Sequence, residues 1–397
     1  TPTEPGVQAL VIAPQPFFTP RGTPFSVYYR ALVMAEQGVE IDLLTYGQGD
    51  DVDIPGCRII RIPRFRFLGP IKVGPSLPKL FLDMWMVLWT IGLLVRRRYT
   101  FVHAHEEAVF YVRFLKPLFR FKMVYDMHSS LPEQLTNFKF TTSRALIGVF
   151  RLLERSSLKA AAAVITICPD LAEYALTEGV APGRHFLIEN SIFEDVRLAT
   201  TSADAAREPS VLPAIPEGGP LVVYAGTLET YQGMDILVRA FALVREARPD
   251  ARLLIVGGTG AQVAALSTLA AEVGLADACI LTGRVPKHSA QEYQSRATVL
   301  VSPRREGKNT PLKVYEQLAS GVPLVATRIR AHTQILDDSV CFLVDPDPAS
   351  MARGILDALG DDEKRRRVVA GALELYGSEY ARHAYESKVG RLLQVLD

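Results

Sequence analysis

Short apolar runs recur along the chain at 8–13, 39–46, 58–62, 101–104, 122–125, 163–167 and 186–188, and again at 221–225, 252–256, 279–282, 299–302, 324–327 and 341–344. They are nearly continuous in Val, Ile, Leu and Ala and lack strict in-out alternation, the pattern of strands buried on both faces. Between most of them, apolar positions return at helical spacing. Strands alternating with helices predict parallel, doubly wound sheets covered on both faces. The segment 200–220, TTSADAAREPSVLPAIPEGGP, has no apolar period and reads as a linker. The expectation is therefore two Rossmann-like domains, 1–199 and 221–378, with a helical end at 379–397. Residues 349–397 are expected to be helical, broken at Gly354, Gly371 and Gly377.

The stretch 301–327, VSPRREGKNTPLKVYEQLASGVPLVAT, reads as strand, loop, helix and strand. Thr310 is a candidate N-cap, Pro311 suits the first helical position, and Gly321 follows the last turn. Lys313 then falls in the first turn, where the helix dipole disfavours a cation. Arg304, Arg305 and Lys308 crowd the preceding loop. Such a cluster suits a site completed by an anion such as phosphate. The plainer alternative is a solvated basic loop.

Composition narrows the function. With 397 residues, 48% of them hydrophobic and 22% charged, the chain is of globular type and long enough for two cores. A formal net charge of +1 offers no global field for nucleic acid. Cys57, Cys168, Cys279 and Cys341 are far apart and lie in apolar surroundings, so they are expected to be reduced and structural; no carboxylate cluster has metal spacing. No secretory leader pattern is read at the start, and a cytoplasmic setting is expected. The exception to neutrality is 58–122, where the basic residues from Arg58 to Lys122 face only Asp83, Glu106 and Glu107. Inside it, 80–95, LFLDMWMVLWTIGLLV, reads as too short for a membrane span and carries Asp83. Docking on an anionic membrane surface and a sheet-covering helix with a solvated flank both fit.

Three further loops follow strands, where an open sheet meets its ligands. They hold Arg21-Gly22-Thr23, Asp126-Met127-His128 and Ala225-Gly226-Thr227 through Gln232-Gly233. With Glu316-Gln317-Leu318-Ala319-Ser320-Gly321-Val322-Pro323, the Ile188-Glu189-Asn190-Ser191 turn and His103-Ala104-His105-Glu106, the chain resembles the family 4 glycosyltransferases over essentially its whole length. The resemblance implies a GT-B fold, two Rossmann-like domains facing across a cleft, and a terminal helix crossing back to the N-terminal domain. It also implies a retaining enzyme that takes a nucleotide-diphosphate sugar and needs no metal or other cofactor. Donor contacts are expected from Gly22, Asn190, Gly226, Thr227, Gln232, Arg284, Val285, Lys308, Asn309, Thr310, Pro311 and Leu312. His128, Lys313 and Glu316 are assigned to the reaction itself, Glu316 by holding the ribose.

Two departures from the family pattern bear on mechanism. Its pair of carboxylates is reduced to Glu316, with Lys308 eight residues before it, and its phosphate-binding Arg and Lys are replaced by Thr227 and Gln232. Lys313 is expected to compensate by neutralising the donor diphosphate. The basic 58–122 region points to a lipid-linked or membrane-surface acceptor, in glycolipid or polysaccharide synthesis. Two other readings stay open on this architecture: a nucleotide-sugar 2-epimerase, and a protein that binds a nucleotide sugar without turning it over.

Overall fold

The computed structural model describes residues 6–19, 22–69, 71, 76–130, 132, 144–190 and 218–397. The chain divides into two compact units, Thr1–Ser202 together with Arg382–Asp397, and Ala203–Ala381. Most of the stretch expected to be a linker lies outside the described residues.

In the first unit, seven strands form one sheet: β1 (Gln8–Ala13), β2 (Glu40–Thr45), β3 (Cys57–Arg61), β4 (Phe101–His105), β5 (Lys122–Met127), β6 (Ala163–Thr166) and β7 (His185–Leu187). Every pairing is parallel, in the order β3-β2-β1-β4-β5-β6-β7. Alternate residues of β1 enter opposite cores, with Ala9, Val11 and Ala13 on one side and Leu10 and Ile12 on the other. That is why the run is apolar without a two-residue period. The direction of strand progression reverses between β1 and β4, so the loops after these two strands diverge and leave a crevice at their carboxyl ends.

The second unit repeats the plan with β8 (Leu221–Ala225), β9 (Arg252–Val256), β10 (Cys279–Gly283), β11 (Val299–Ser302), β12 (Leu324–Thr327) and β13 (Phe342–Val344). Its order is β10-β9-β8-β11-β12-β13, again parallel throughout, with the reversal between β8 and β11. Each of these strands matches an expected run to within one residue.

The helical end departs from expectation in one respect. Gly354 and Gly371 lie within the helices Pro348–Gly360 and Asp362–Leu375 rather than breaking them. A Cβ on Gly354 would stand 2.5 Å from Val344 Cγ1 and 3.0 Å from Val325 Cγ1, so glycine is there to let the helix sit close on the sheet. The last helix, Arg382–Leu396, belongs to the first unit. Tyr385, Val389, Leu392 and Leu396 join its core, Lys388 pairs with Glu189 at 2.7 Å, and Lys122 Nζ donates to the carbonyls of Leu396 and Asp397.

The helix around 80–95 runs from Leu77 to Arg96, 20 residues, long and apolar enough by length and composition to cross a membrane. The expectation that it is too short is therefore corrected. It starts at Ser76, whose hydroxyl accepts from the Lys79 amide. One face, Leu82, Met86, Thr90 and Leu94, packs into the first unit. Asp83 does not interrupt it, because its carboxylate accepts a hydrogen bond from the Tyr46 hydroxyl at 2.5 Å.

Candidate active site

In the second unit the strand reversal places the end of β8 beside the end of β11, and both following loops carry expected site residues. The β11 loop leads into the helix Leu312–Ala319. That helix begins one residue later than expected: Pro311 is its N-cap, and Thr310 makes no cap hydrogen bond. The Thr310 hydroxyl is instead buried without a partner.

The four cations of this stretch separate into different roles. Arg305 pairs with Asp235 at 2.5 Å. Arg304 lies 5.0 Å from the centre of the Tyr231 ring and donates through Nε to the Glu306 carbonyl. Lys308 is exposed, and its carbonyl accepts from Gln334 Nε2. Lys313 alone is turned inward. Its ammonium is buried without a hydrogen-bond partner, 4.0 Å from the centre of the Tyr224 ring, and 3.4 Å from where a Cβ on Gly226 would stand. Burial, with a smaller contribution from Arg304, brings its pKa down to about 7.

The loop after β8 closes round this amine. Gly226 takes a φ of +155, and its amide donates to the Val256 carbonyl. The Tyr224 hydroxyl donates to the Thr227 carbonyl at 2.6 Å, which fixes the ring over Lys313. Gln232 Nε2 donates to Thr227 Oγ1 at 3.3 Å, so the two residues replacing the family's cations hold each other. The Gln232 side-chain carbonyl is left buried and unsatisfied. A buried ammonium and a buried hydroxyl thus lack partners at this helix start, and a buried amide oxygen lacks one in the loop after β8. Orphaned groups of this kind cost stability unless something fills the site.

Glu316 is half-buried and lies one turn beyond Lys313 on the same helix, so the two project from one side. Asn309 precedes Thr310 in the loop, and Leu312 opens the helix. Arg284 is exposed just past β10, and Val285 packs against the second unit's core.

The first unit has its own buried centre. Asp126, at the end of β5, takes Arg30 Nε at 2.5 Å and His103 Nε2 at 2.9 Å, and lies 3.3 Å from His128 Nε2. His105 Nδ1 is 3.1 Å from His128 Nε2. Burial brings His128 down to about 4 and holds His105 well below the ordinary imidazole value, so both rings are neutral near pH 7. His128 sits only 4% exposed, beneath the sheet's carboxyl edge. The ligand atoms of His103, His105 and Asp126 lie within 4.8 Å of one another, a spacing a metal could use. The set does not suit one, because the Arg30 guanidinium already holds Asp126 and opposes a second buried cation.

Gly22 opens the helix Gly22–Glu36, so it is not the loop glycine expected from the sequence; Arg21 lies outside the described residues. Asn190 accepts a hydrogen bond from the Ser26 hydroxyl of that helix. A further cluster, not foreseen, follows β4. Glu106 takes a φ of +50, Glu107 pairs with Lys79, and burial raises both Asp83 and Glu106 to about 7. The only signal for it was two acids after a strand end in a basic region.

The two-unit fold agrees with the comparisons. Residues 26–191 match the family model described as Glycosyl transferase 4-like domain, and residues 210–374 match Glycosyl transferases group 1. Between them the two models span most of the chain. It belongs to the family 4 glycosyltransferases. The glycosyltransferase is 26% identical to the D-inositol 3-phosphate glycosyltransferase of Corynebacterium efficiens over 86% of this chain and 82% of the relative. It is 31% identical to the GDP-mannose-dependent alpha-(1-6)-phosphatidylinositol monomannoside mannosyltransferase of Mycolicibacterium smegmatis, over 41% of this chain and 43% of that one. Its fold is shared with Anabaena HepE in complex with UDP and glucose, at a TM-score of 0.68 and 14% identity over 98% of this chain and 99% of that one. These glycosyltransferase neighbours have the GT-B fold, two Rossmann-like units each built on a parallel sheet.

Proposed function

We propose that this glycosyltransferase moves a sugar, with retention, from a UDP- or GDP-sugar to a lipid-linked acceptor in glycolipid or polysaccharide synthesis, on the cytoplasmic side of a membrane. The observation that carries the donor half is the Lys313 ammonium, buried and unpaired at a helix start beside Gly226. A diphosphate there would give the amine its counter-charge and accept hydrogen bonds from the Thr310 hydroxyl and the helix amides. As the bond from the anomeric carbon to the diphosphate breaks, negative charge grows on the departing phosphate and positive charge on the sugar. Lys313 stabilises the first. Glu316, one turn on, holds the ribose and keeps the leaving group in place. The new bond forms from an acceptor hydroxyl on the face the diphosphate leaves, and its proton goes to the departing phosphate oxygen. In the first unit His128 stays neutral near pH 7 and is held by the Asp126 network.

The lipid-linked acceptor draws its support from the relative named for a phosphatidylinositol glycolipid, whereas the other relative is named for D-inositol 3-phosphate, a soluble acceptor. The four cysteines are all free, in keeping with a reducing compartment.

The test is to incubate the protein with UDP- and GDP-sugars, with and without a membrane lipid extract, and to follow the labelled sugar. Transfer into the lipid phase, lost in Lys313→Ala, is the expected result. An epimerised free sugar would replace this reading with the 2-epimerase, and nucleotide binding without turnover would replace it with a binding protein.

A further inference from the structure

The helix Leu77–Arg96 is amphipathic in the wrong sense for water. Apart from Arg96 in its last turn, its polar residues point inward, with Lys79 paired to Glu107, Asp83 bonded to Tyr46, and Thr90 in the core. Its outward stripe is Leu77, Leu80, Met84, Leu88 and Val95, between 54% and 75% exposed. These are spaced by three, four, four and seven residues, so they lie along one line of the helix. The helix Ala108–Phe119 packs beside it and Arg144–Ala160 packs beside that one over the same core, and they add Phe114, Leu118 and Leu152, all more than half exposed. An apolar surface shared by three adjacent helices is far more than scattered exposed leucines.

The charges are sorted too. All three acids of the 58–122 stretch are engaged or half-buried, and several of its cations are structural: Arg58 and Arg97 bond Asp42, and Lys122 holds the terminal helix. The cations left exposed without an ion-pair partner among the described residues are Arg64, Arg66, Arg96, Arg98, Arg120 and, from the third helix, Arg151 and Lys159. Beside the outward stripe a groove of about 790 Å³ runs between the helix and β3, lined by Ile60, Trp89 and Leu93 with Arg96 at its rim. We propose that this three-helix face seats the protein on a bilayer containing anionic phospholipid, with the Leu77–Arg96 stripe among the acyl chains and the free arginines at the headgroups. Apolar area and basic residues together are what hold a monotopic surface at such an interface. This goes beyond the transferase reading, because it needs neither donor nor acceptor.

The test is sedimentation of the full chain with phosphatidylcholine vesicles, with and without phosphatidylglycerol and without nucleotide. Binding is expected only with phosphatidylglycerol, weakening as salt rises. Met84→Glu with Leu88→Glu, and separately Arg96→Glu with Arg98→Glu, should each lower vesicle affinity by at least about tenfold. Both pairs are on the surface, and unchanged UDP or GDP thermal shifts would establish that they fold. Arg97 is left intact because it bonds Asp42 and Glu40. Wild-type protein that ignores anionic vesicles, substituted proteins that bind as tightly as wild type, or a dimer in vesicle-free solution that these substitutions dissolve would each overturn the proposal.

Discussion

The ammonium of Lys313 lies 4.0 Å from the centre of the Tyr224 ring, a cation over a π-face with no carboxylate partner. The contact offers partial compensation for burial, of the order of 1–2 kcal/mol. It also fixes the amine between the loops after β8 and β11, where the sheet's strand order reverses. Tyr224 is therefore a positioning residue. Tyr224→Phe keeps the ring but removes the hydroxyl bonded to the Thr227 carbonyl. The expected result is a several-fold loss of nucleotide affinity, by calorimetry, with Tyr224→Ala losing more.

The Thr227–Gln232 pair predicts a rescue. These residues stand where the family has Arg and Lys, and here they hydrogen-bond each other. If Lys313 supplies the cation they lack, Thr227→Arg with Gln232→Lys should restore much of the nucleotide affinity lost in Lys313→Ala. A charge-assisted hydrogen bond contributes about 1.5–3 kcal/mol, so both the loss and the recovery should be roughly tenfold to a hundredfold. Competition binding with UDP and GDP checks it.

Glu106 predicts a pH-dependent stability. Its folded pKa is raised to about 7, mainly by burial and then by Glu107. The folded state therefore keeps a proton that the unfolded state releases above its ordinary carboxyl range. The stability this gives is present at low pH and is lost as pH rises through about 7. Glu106→Gln removes the titration without changing shape, so its Tm should exceed that of wild type at pH 8 and approach it at pH 5. The buried histidines act with the opposite sign. His128 refuses a proton until about pH 4, so stability falls from pH 6.5 downward in both proteins. Thermal unfolding from pH 5 to 8 separates the two.

Gly354 predicts a packing cost. Valine at this position would drive its Cβ into Val344 and Val325, so Gly354→Val should destabilise by about 2 kcal/mol or more. Gly371→Val should do likewise, its Cβ position lying 2.5 Å from the Ser339 carbonyl oxygen. Gly360→Ala, with open space around it, should leave Tm nearly unchanged.

The strands were legible because parallel strands buried on both faces leave an unbroken apolar run, and all thirteen were found to within about a residue at most ends. Lys313 was legible because a cation in a first helical turn defies the dipole. Its orphaned state was not, since that depends on Tyr224 and Gly226 arriving from another strand. The Arg30–Asp126–His128 centre was half legible: the histidine motif stood out, but Arg30 lies in a helical stretch that gave no hint of a buried ion pair. Gly354 was misread because a helix glycine that breaks and one that permits close approach look alike until the facing strand is known. The Leu77–Arg96 helix left docking and burial level, since both need an apolar sequence; which of its apolar residues stay exposed depends on the packing around it.

If Lys313 holds the donor diphosphate, its lowered pKa gives a direct reading. At pH 8 an amine with a pKa of about 7 is mostly neutral. A bound diphosphate favours the charged form, so binding must draw a proton from solution. Calorimetric titration of UDP or GDP at pH 8, in buffers of different ionisation enthalpy, counts that proton. Uptake approaching one proton per nucleotide in wild type, and none in Lys313→Met, is the predicted result. Tight binding by wild type with no proton uptake, or unchanged uptake in Lys313→Met, would contradict it.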